Sequence, residues 1–266
     1  MTQIEITKDI ALKVLSVVDA GLSSGVGDPK PGHMCVEAAV CYAMGLPHGD
    51  KPECVSPALR SLKIALNDKA WSSKKARASG LRRLAVAQLG SKGVLDDREF
   101  VKRVAEMAVR KQVPIALRAA AGIQKNADHR QRLLDAANRC ETEGTRDAAA
   151  SAAAAASAAA AAYAASAAAD AASAAADAAY AASAAAAAAY AADAAYAASA
   201  ADASAAYASA DAAAYAAAAA DASDADADAK ARDKHLSDFA EDVVQILIEM
   251  KAPGCQWLEL TEAVAA

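Results

Sequence analysis

Between Ala148 and Ala229 the chain holds 58 alanines in 82 residues, and the other 24 are only Ser, Asp and Tyr. No Gly, Pro or Asn occurs from Arg146 to Ala252. Alanine has the strongest intrinsic helix preference because it gives up no side-chain freedom in a helix, so helix is the state this stretch specifies. Left-handed β-solenoids and pentapeptide stacks need large or branched residues at regular positions, and the stretch has none. As one rod it would reach about 120 Å, at about 1.5 Å per residue. The non-alanine positions are patterned. Tyr163, Ser166, Asp170, Ser173, Asp177 and Tyr180 alternate steps of three and four, which draws one polar stripe along a helix. Tyr190, Asp193, Tyr196, Ser199 and Asp202 are a run of threes, which drifts around a helix by roughly 60° per step.

A methyl surface contributes little per residue but lets helix axes approach to the lower edge of the usual spacing of roughly 8–10 Å. The expectation is therefore two or more close-packed antiparallel helices, as a bundle or long hairpin, with Tyr and Asp at seams or turns. The alternative is a single solvated rod, since long alanine helices are stable alone. The run Asp221 to Asp228 is expected to fray into a turn, because Ser and Asp compete with the helical backbone.

The flanks read as ordinary amphipathic helices. Ile10, Leu12, Val14, Leu15 and Val18 keep near-helical spacing between Ile6 and Gly21. Gly21, Gly25, Gly27, Pro29, Pro31 and Gly32 mark a loop, and Met34 to Met44 a short apolar helix ended by Gly45-Leu46-Pro47. Ser56-Pro57 reads as an N-cap followed by proline at the first helical position. Ser72 or Ser73 caps the next helix, which stops at Gly90, and Asp96 with Glu99 fits a capping box. Pro114 is expected to break or kink the chain near Val113. A further helix is placed around Asp128 to Cys140. Leu236, Phe239, Val243, Ile246, Leu247 and Met250 form an amphipathic helix ending at Pro253-Gly254, with a last short helix over Gln256 to Ala265. No segment alternates long enough to argue for a sheet. The expected fold is all-α: a compact helical domain over 1–145, the alanine-rich helices over 146–229, and C-terminal helices over 230–266 packing on the rest.

Charge is partitioned along the chain. Residues 1–50 carry net −3, residues 51–140 net +12 and residues 141–266 net −14. The basic middle either faces the protein's own acidic groups or solvent, or contacts phosphates through Lys69, Lys74, Lys75, Arg77, Arg82 and Arg83. Trp71 stands alone there, without aromatic interleaving for base stacking, and no phosphate-binding glycine loop is present.

The densest polar cluster is His33, Cys35, Glu37, Cys41, His48 and Cys54. Its thiols and imidazoles are the ligand types zinc takes, so His33, Cys35, Cys41, His48 and Cys54 are candidate ligands, although the cluster lacks a tight Cys pair. Buried small cysteines on a helix face are the plainer reading, and no cofactor is expected. Cys35, at the start of a helix, is also a candidate nucleophile, because a helix N-terminus favours the thiolate, with His33 or His48 as its base. Cys35-Val-Glu-Ala-Ala followed by Gly45-Leu46-Pro47 resembles the nucleophile helix of transglutaminase-like cysteine enzymes. The helix here is shorter, and no strands carry a partner His and Asp. Alanine-rich helical antifreeze proteins are similar in composition. They present regularly spaced Thr, which residues 146–260 lack.

The alternation AAYAADAAYAASAADASAAYA resembles the alanine-rich helical tracts of uncharacterised bacterial and phage proteins, some of them grouped with toxin-immunity proteins. His48-Gly-Asp-Lys-Pro, followed by a helix and then Trp71, is similar to the front part of such proteins. The resemblance implies a cytosolic helical protein that binds and neutralises another protein. The leading expectation is thus a non-enzymatic interaction module, an immunity or anti-defence factor with a basic protein partner. Tyr190, Asp193, Tyr196, Tyr207 and Tyr215 are its candidate contact residues, since Tyr is favoured at interfaces and Asp supplies complementarity to a basic partner. The alternatives are nucleic-acid binding through Lys74, Lys75, Arg77, Arg82 and Arg83, a cysteine enzyme centred on Cys35, and ice binding. Self-association through the alanine-rich helices is a further expectation. Five cysteines, an odd number, and a charged, alternating N-terminus point to free thiols in the cytoplasm. No stretch suits a membrane span.

Overall fold

The computed structural model describes residues 6–124, 126–161 and 225–262. Among them the regular elements are all helical and none is a strand. The α-helices are α1 (Lys8–Asp19), α2 (Val36–Ala43), α3 (Pro57–Asn67), α4 (Lys74–Ala87), α5 (Asp97–Met107), α6 (Val113–Ile123), α7 (Ala127–Glu143), α8 (Arg146–Ala161) and α9 (Ala225–Glu249). A π-helical segment, Ala108–Gln112, joins α5 to α6, and a 3-10 helix, Pro253–Thr261, follows α9. The described residues are all-α, as their pattern predicts. The arrangement expected for the middle of the alanine-rich stretch, 162–224, lies outside the described residues.

Local chemistry sets the helix ends. Ser56 caps α3 by accepting from Leu59 N, with Pro57 at the first position. Ser73 caps α4 through Ala76 N at 3.0 Å, and Asp96 Oδ1 accepts from Glu99 N at 3.0 Å at the head of α5. Each satisfies one orphan donor of a first turn.

Of the break or kink expected at Pro114, the break does not occur, and the helix is instead distorted locally. Proline has no N–H and its ring crowds the carbonyl four residues back, and the wider π turn over Ala108–Gln112 takes up both defects. Helical backbone therefore runs from Asp97 to Ile123. Of the run Asp221 to Asp228, expected to fray into a turn, the part from Ala225 is helical and opens α9, and 221–224 lie outside the described residues. Alternate alanines there carry the helix outward from the apolar turns at Leu236 and Phe239, and propagation is easy once a helix is nucleated. The last segment is a 3-10 helix that opens at Pro253 rather than Gln256.

The chain divides into two compact units. The first combines the described residues of Met1–Phe100 and Ser237–Ala266. Its core is built from Val14 and Val18 of α1, Leu81 and Leu84 of α4, Phe100, and Phe239 and Val243 of α9, all 3% exposed or less. Gly80 of α4 lies against the Trp71 ring and Ser237, where a Cβ would overlap both.

The second unit is Val101–Leu236. Here α6, α7 and α8 pack around Val113, Leu117, Leu133 and Cys140. Alanine supplies the α8 side of that core: Ala148, Ala149, Ala152, Ala156 and Ala159 are 0–1% exposed. Their spacing marks one helical face. Five buried methyls at about 0.8 kcal/mol each give about 4 kcal/mol, a small anchor for four turns of helix. The α7–α8 turn is held by Arg110, whose guanidinium donates to the carbonyls of Glu141 at 3.1 Å, Thr142 at 2.6 Å and Glu143 at 2.8 Å. Those are the last carbonyls of α7, which lack helical partners and carry the negative end of the helix dipole.

Candidate functional site

The polar residues singled out between His33 and Cys54 separate into two environments. His33 and His48 are exposed, and His48 Nε2 donates to the Gly27 carbonyl at 2.9 Å. Cys35, Cys41 and Cys54 are buried, at 4%, 2% and 3% exposure. Cys35 is the N-cap of α2, its sulfur accepting from Ala38 N at 3.3 Å. The helix terminus does not activate it. Burial outweighs the amide contacts and raises the thiol above its ordinary value, so the protonated form is favoured. Burial likewise pushes Cys41 up to about 11 and raises Cys54, whose Sγ donates to Met44 Sδ at 3.4 Å. Among the described residues no group of three or more His, Cys, Asp or Glu is placed to hold a metal ion, so the five candidate ligands are not brought together as one. All five cysteines are free.

What the fold does assemble beside the thiols is a buried ion pair. Glu37 of α2 and Lys63 of α3 meet at 3.3 Å, Oε1 to Nζ, and neither side chain has any exposure. Beyond their own contact, no hydrogen bond is made to either Glu37 oxygen or to Lys63 Nζ. Burial raises the Glu37 carboxyl and lowers the Lys63 ammonium, and each partner's charge opposes the other's shift. Arg60 and Asp50 add smaller, opposite effects on Glu37. Lys63 was not visible as a candidate in the sequence. It lies in an amphipathic helix where a lysine ordinarily faces solvent, and its partner is 26 positions away.

The basic candidates are drawn into the first unit's own frame. Arg77, 8% exposed, donates to the carbonyls of Asn67 at 2.7 Å, Leu22 at 3.0 Å and Lys69 at 3.3 Å. Lys74 Nζ donates to Gly32 O at 3.0 Å and Lys75 Nζ to Asp19 O at 2.6 Å. Arg82 grips Asp19 with two bonds, 2.7 and 3.0 Å, and also donates to the Thr261 carbonyl. Arg83 pairs with Glu241 at 2.9 Å beside a cavity of about 250 Å³ that Ser79, Gly80, Ser237 and Asp238 also line. Each of the five candidate cations Lys74, Lys75, Arg77, Arg82 and Arg83 thus bonds to a carbonyl or carboxylate of the same unit.

The proposed contact residues Tyr190, Asp193, Tyr196, Tyr207 and Tyr215 lie outside the described residues. No described helix is long and apolar enough to cross a membrane. No protein-family profile matches the chain. Neither a curated protein nor a solved structure matches it.

Proposed function

We propose that this is a non-enzymatic helical protein that binds another protein through its alanine-rich region, with immunity or anti-defence activity as the sharper form of that reading. The observation that carries it is α8. The first turns of the alanine-rich stretch form a packing helix whose methyls reach 0–1% exposure against α6 and α7. A stretch that begins as a packing surface supports the reading that its later alanine faces also meet helices. Its Tyr and Asp residues supply the anchoring rings and negative charge that suit a basic partner. The engagement of Arg77, Arg82 and Arg83 within their own unit leaves less of the basic stretch for phosphates, and the protonated, buried Cys35 argues against a nucleophile there. The test is capture by the full chain compared with a chain carrying Tyr190→Ser, Tyr196→Ser, Tyr207→Ser and Tyr215→Ser. Loss of a specific partner with unchanged helicity supports the reading, and undiminished capture removes the proposed surface.

A further inference from the structure

The Glu37–Lys63 pair is a fully buried ion pair in the first unit's core. Two opposite charges sit 3.3 Å apart with no exposure, and apart from their mutual contact no hydrogen bond completes either group. In such a place the attraction between the charges competes with the loss of all their hydration. Water entry at the contact between the two helices carrying the pair restores that hydration.

The surroundings of the pair are specific. Cys35 is the N-cap of the helix that carries Glu37, Cys41 lies four residues beyond Glu37 on that helix, and Cys54 lies in the segment leading to α3. The charges of Glu37 and Lys63 act on Cys35 and Cys54, and that of Glu37 acts on Cys41. The other charged neighbours are Asp50, from the connection, and Arg60, from α3, whose Nε has no hydrogen-bond partner. α3 is the helix nearer solvent, and it is tied to the head of α2 by Asn67 Oδ1, which accepts from Val36 N at 3.2 Å. Arg60, Ser61, Ile64 and Ala65 are partly exposed, whereas α2 is buried from Val36 to Cys41.

We propose that separation of α3 from α2 is a local opening of the first unit set by the Glu37–Lys63 pair, and that it presents Cys35, Cys41 and Cys54 to solvent together as a gated site for thiol-reactive electrophiles. With the helices closed, the thiols are protonated and shielded. With them open, water hydrates the pair and the thiols regain ordinary acidity. This inference is independent of the alanine-rich region.

The experiment is site-resolved alkylation of the full chain by iodoacetamide, read by mass spectrometry. Each thiolate sulfur displaces iodide, forming a carbon–sulfur bond, and the thiol proton passes to water. The expected result is that Cys35, Cys41 and Cys54 share one opening constant distinct from that of Cys140. In the chain carrying Glu37→Met with Lys63→Met, the three should slow by about tenfold or more, because the unpaired hydration demand is gone, while Cys140 and Cys255 keep their rates. Three unrelated rates, or a double variant with unchanged rates, overturns the proposal. Should that variant not fold, hydrogen exchange of the wild-type chain decides. Amides of Leu62 to Leu66 exchanging with the same opening constant as the thiols support it, and exchange there only with global unfolding overturns it.

Discussion

Glu37 Oε1 and Lys63 Nζ face each other at 3.3 Å in a place that neither side chain shares with solvent. A buried pair of this kind is asymmetric in its consequences. Removing one partner strands the other charge, whereas removing both removes the hydration loss with it. Glu37→Gln or Lys63→Met alone is expected to destabilise the first unit by about 3–5 kcal/mol, and Glu37→Met with Lys63→Met together to be neutral or stabilising by about 1–4 kcal/mol. Denaturant unfolding of the three variants checks this.

The same pair gives a distinctive pH signature. Glu37 is raised in the folded state, so its contribution is fully present below its ordinary value of 4.5 and is lost as pH rises through the folded value. Lys63 is lowered, so its contribution is present above 10.5 and is lost as pH falls through the folded value. The stability of the wild-type chain minus that of the Met–Met variant should therefore pass through a minimum between those limits. A difference that peaks near neutrality would mean the pair is a net stabiliser.

In α8 the buried face is methyl-sized. Ala152→Leu is expected to overpack the α6–α7–α8 core and destabilise by about 1–3 kcal/mol, while Ala154→Leu, on the exposed side, stays within about 0.5 kcal/mol. Thermal unfolding of the two variants distinguishes a packed alanine face from a solvated rod.

The α7–α8 turn depends on shape as well as charge. Gly144 has φ +62° and its missing Cβ is the space that the Arg110 guanidinium occupies. Gly144→Ala should destabilise by about 1 kcal/mol or more. Arg110→Lys should not rescue Arg110→Ala, because a single ammonium cannot reproduce the fork over three carbonyls. Unfolding midpoints of the three variants report on the second unit.

Arg77 separates the structural reading of the basic stretch from the phosphate-binding one. Arg77→Met takes the donor from the Asn67 and Leu22 carbonyls, while the Lys69 carbonyl still accepts from Trp71 N, and should destabilise by about 2 kcal/mol or more. An Arg77 that served phosphates would leave stability unchanged when replaced.

The helices and most of their ends were legible in the sequence, because a cap is a local event. Ser56, Ser73 and Asp96 each announce themselves within three residues of the amide they bind. Pro114 was legible as a disturbance but not as a π turn, since the sequence marks the missing N–H and not where the helix widens around it. The site was far less legible. Cys35, Cys41 and Cys54 stand out by type, yet their burial is a tertiary fact, and it reverses the acidity that a helix terminus alone would confer. Lys63 and Arg77 look like surface cations in a basic stretch until the fold shows which carboxylate and which carbonyls they meet. The alanine-rich stretch declares its secondary structure but not its turns, because the residues that punctuate turns are missing from it.

The most direct test of the interaction reading is the identity of what the full chain retains from an extract of its native cell, with and without nuclease treatment, at about 0.05 and 0.5 M salt, where phosphate-driven binding differs by orders of magnitude. The account predicts one basic protein, retained in fixed stoichiometry after nuclease treatment. Nucleic acid as the bound species, removed by nuclease and lost at the higher salt, would contradict it and move the function to the basic stretch.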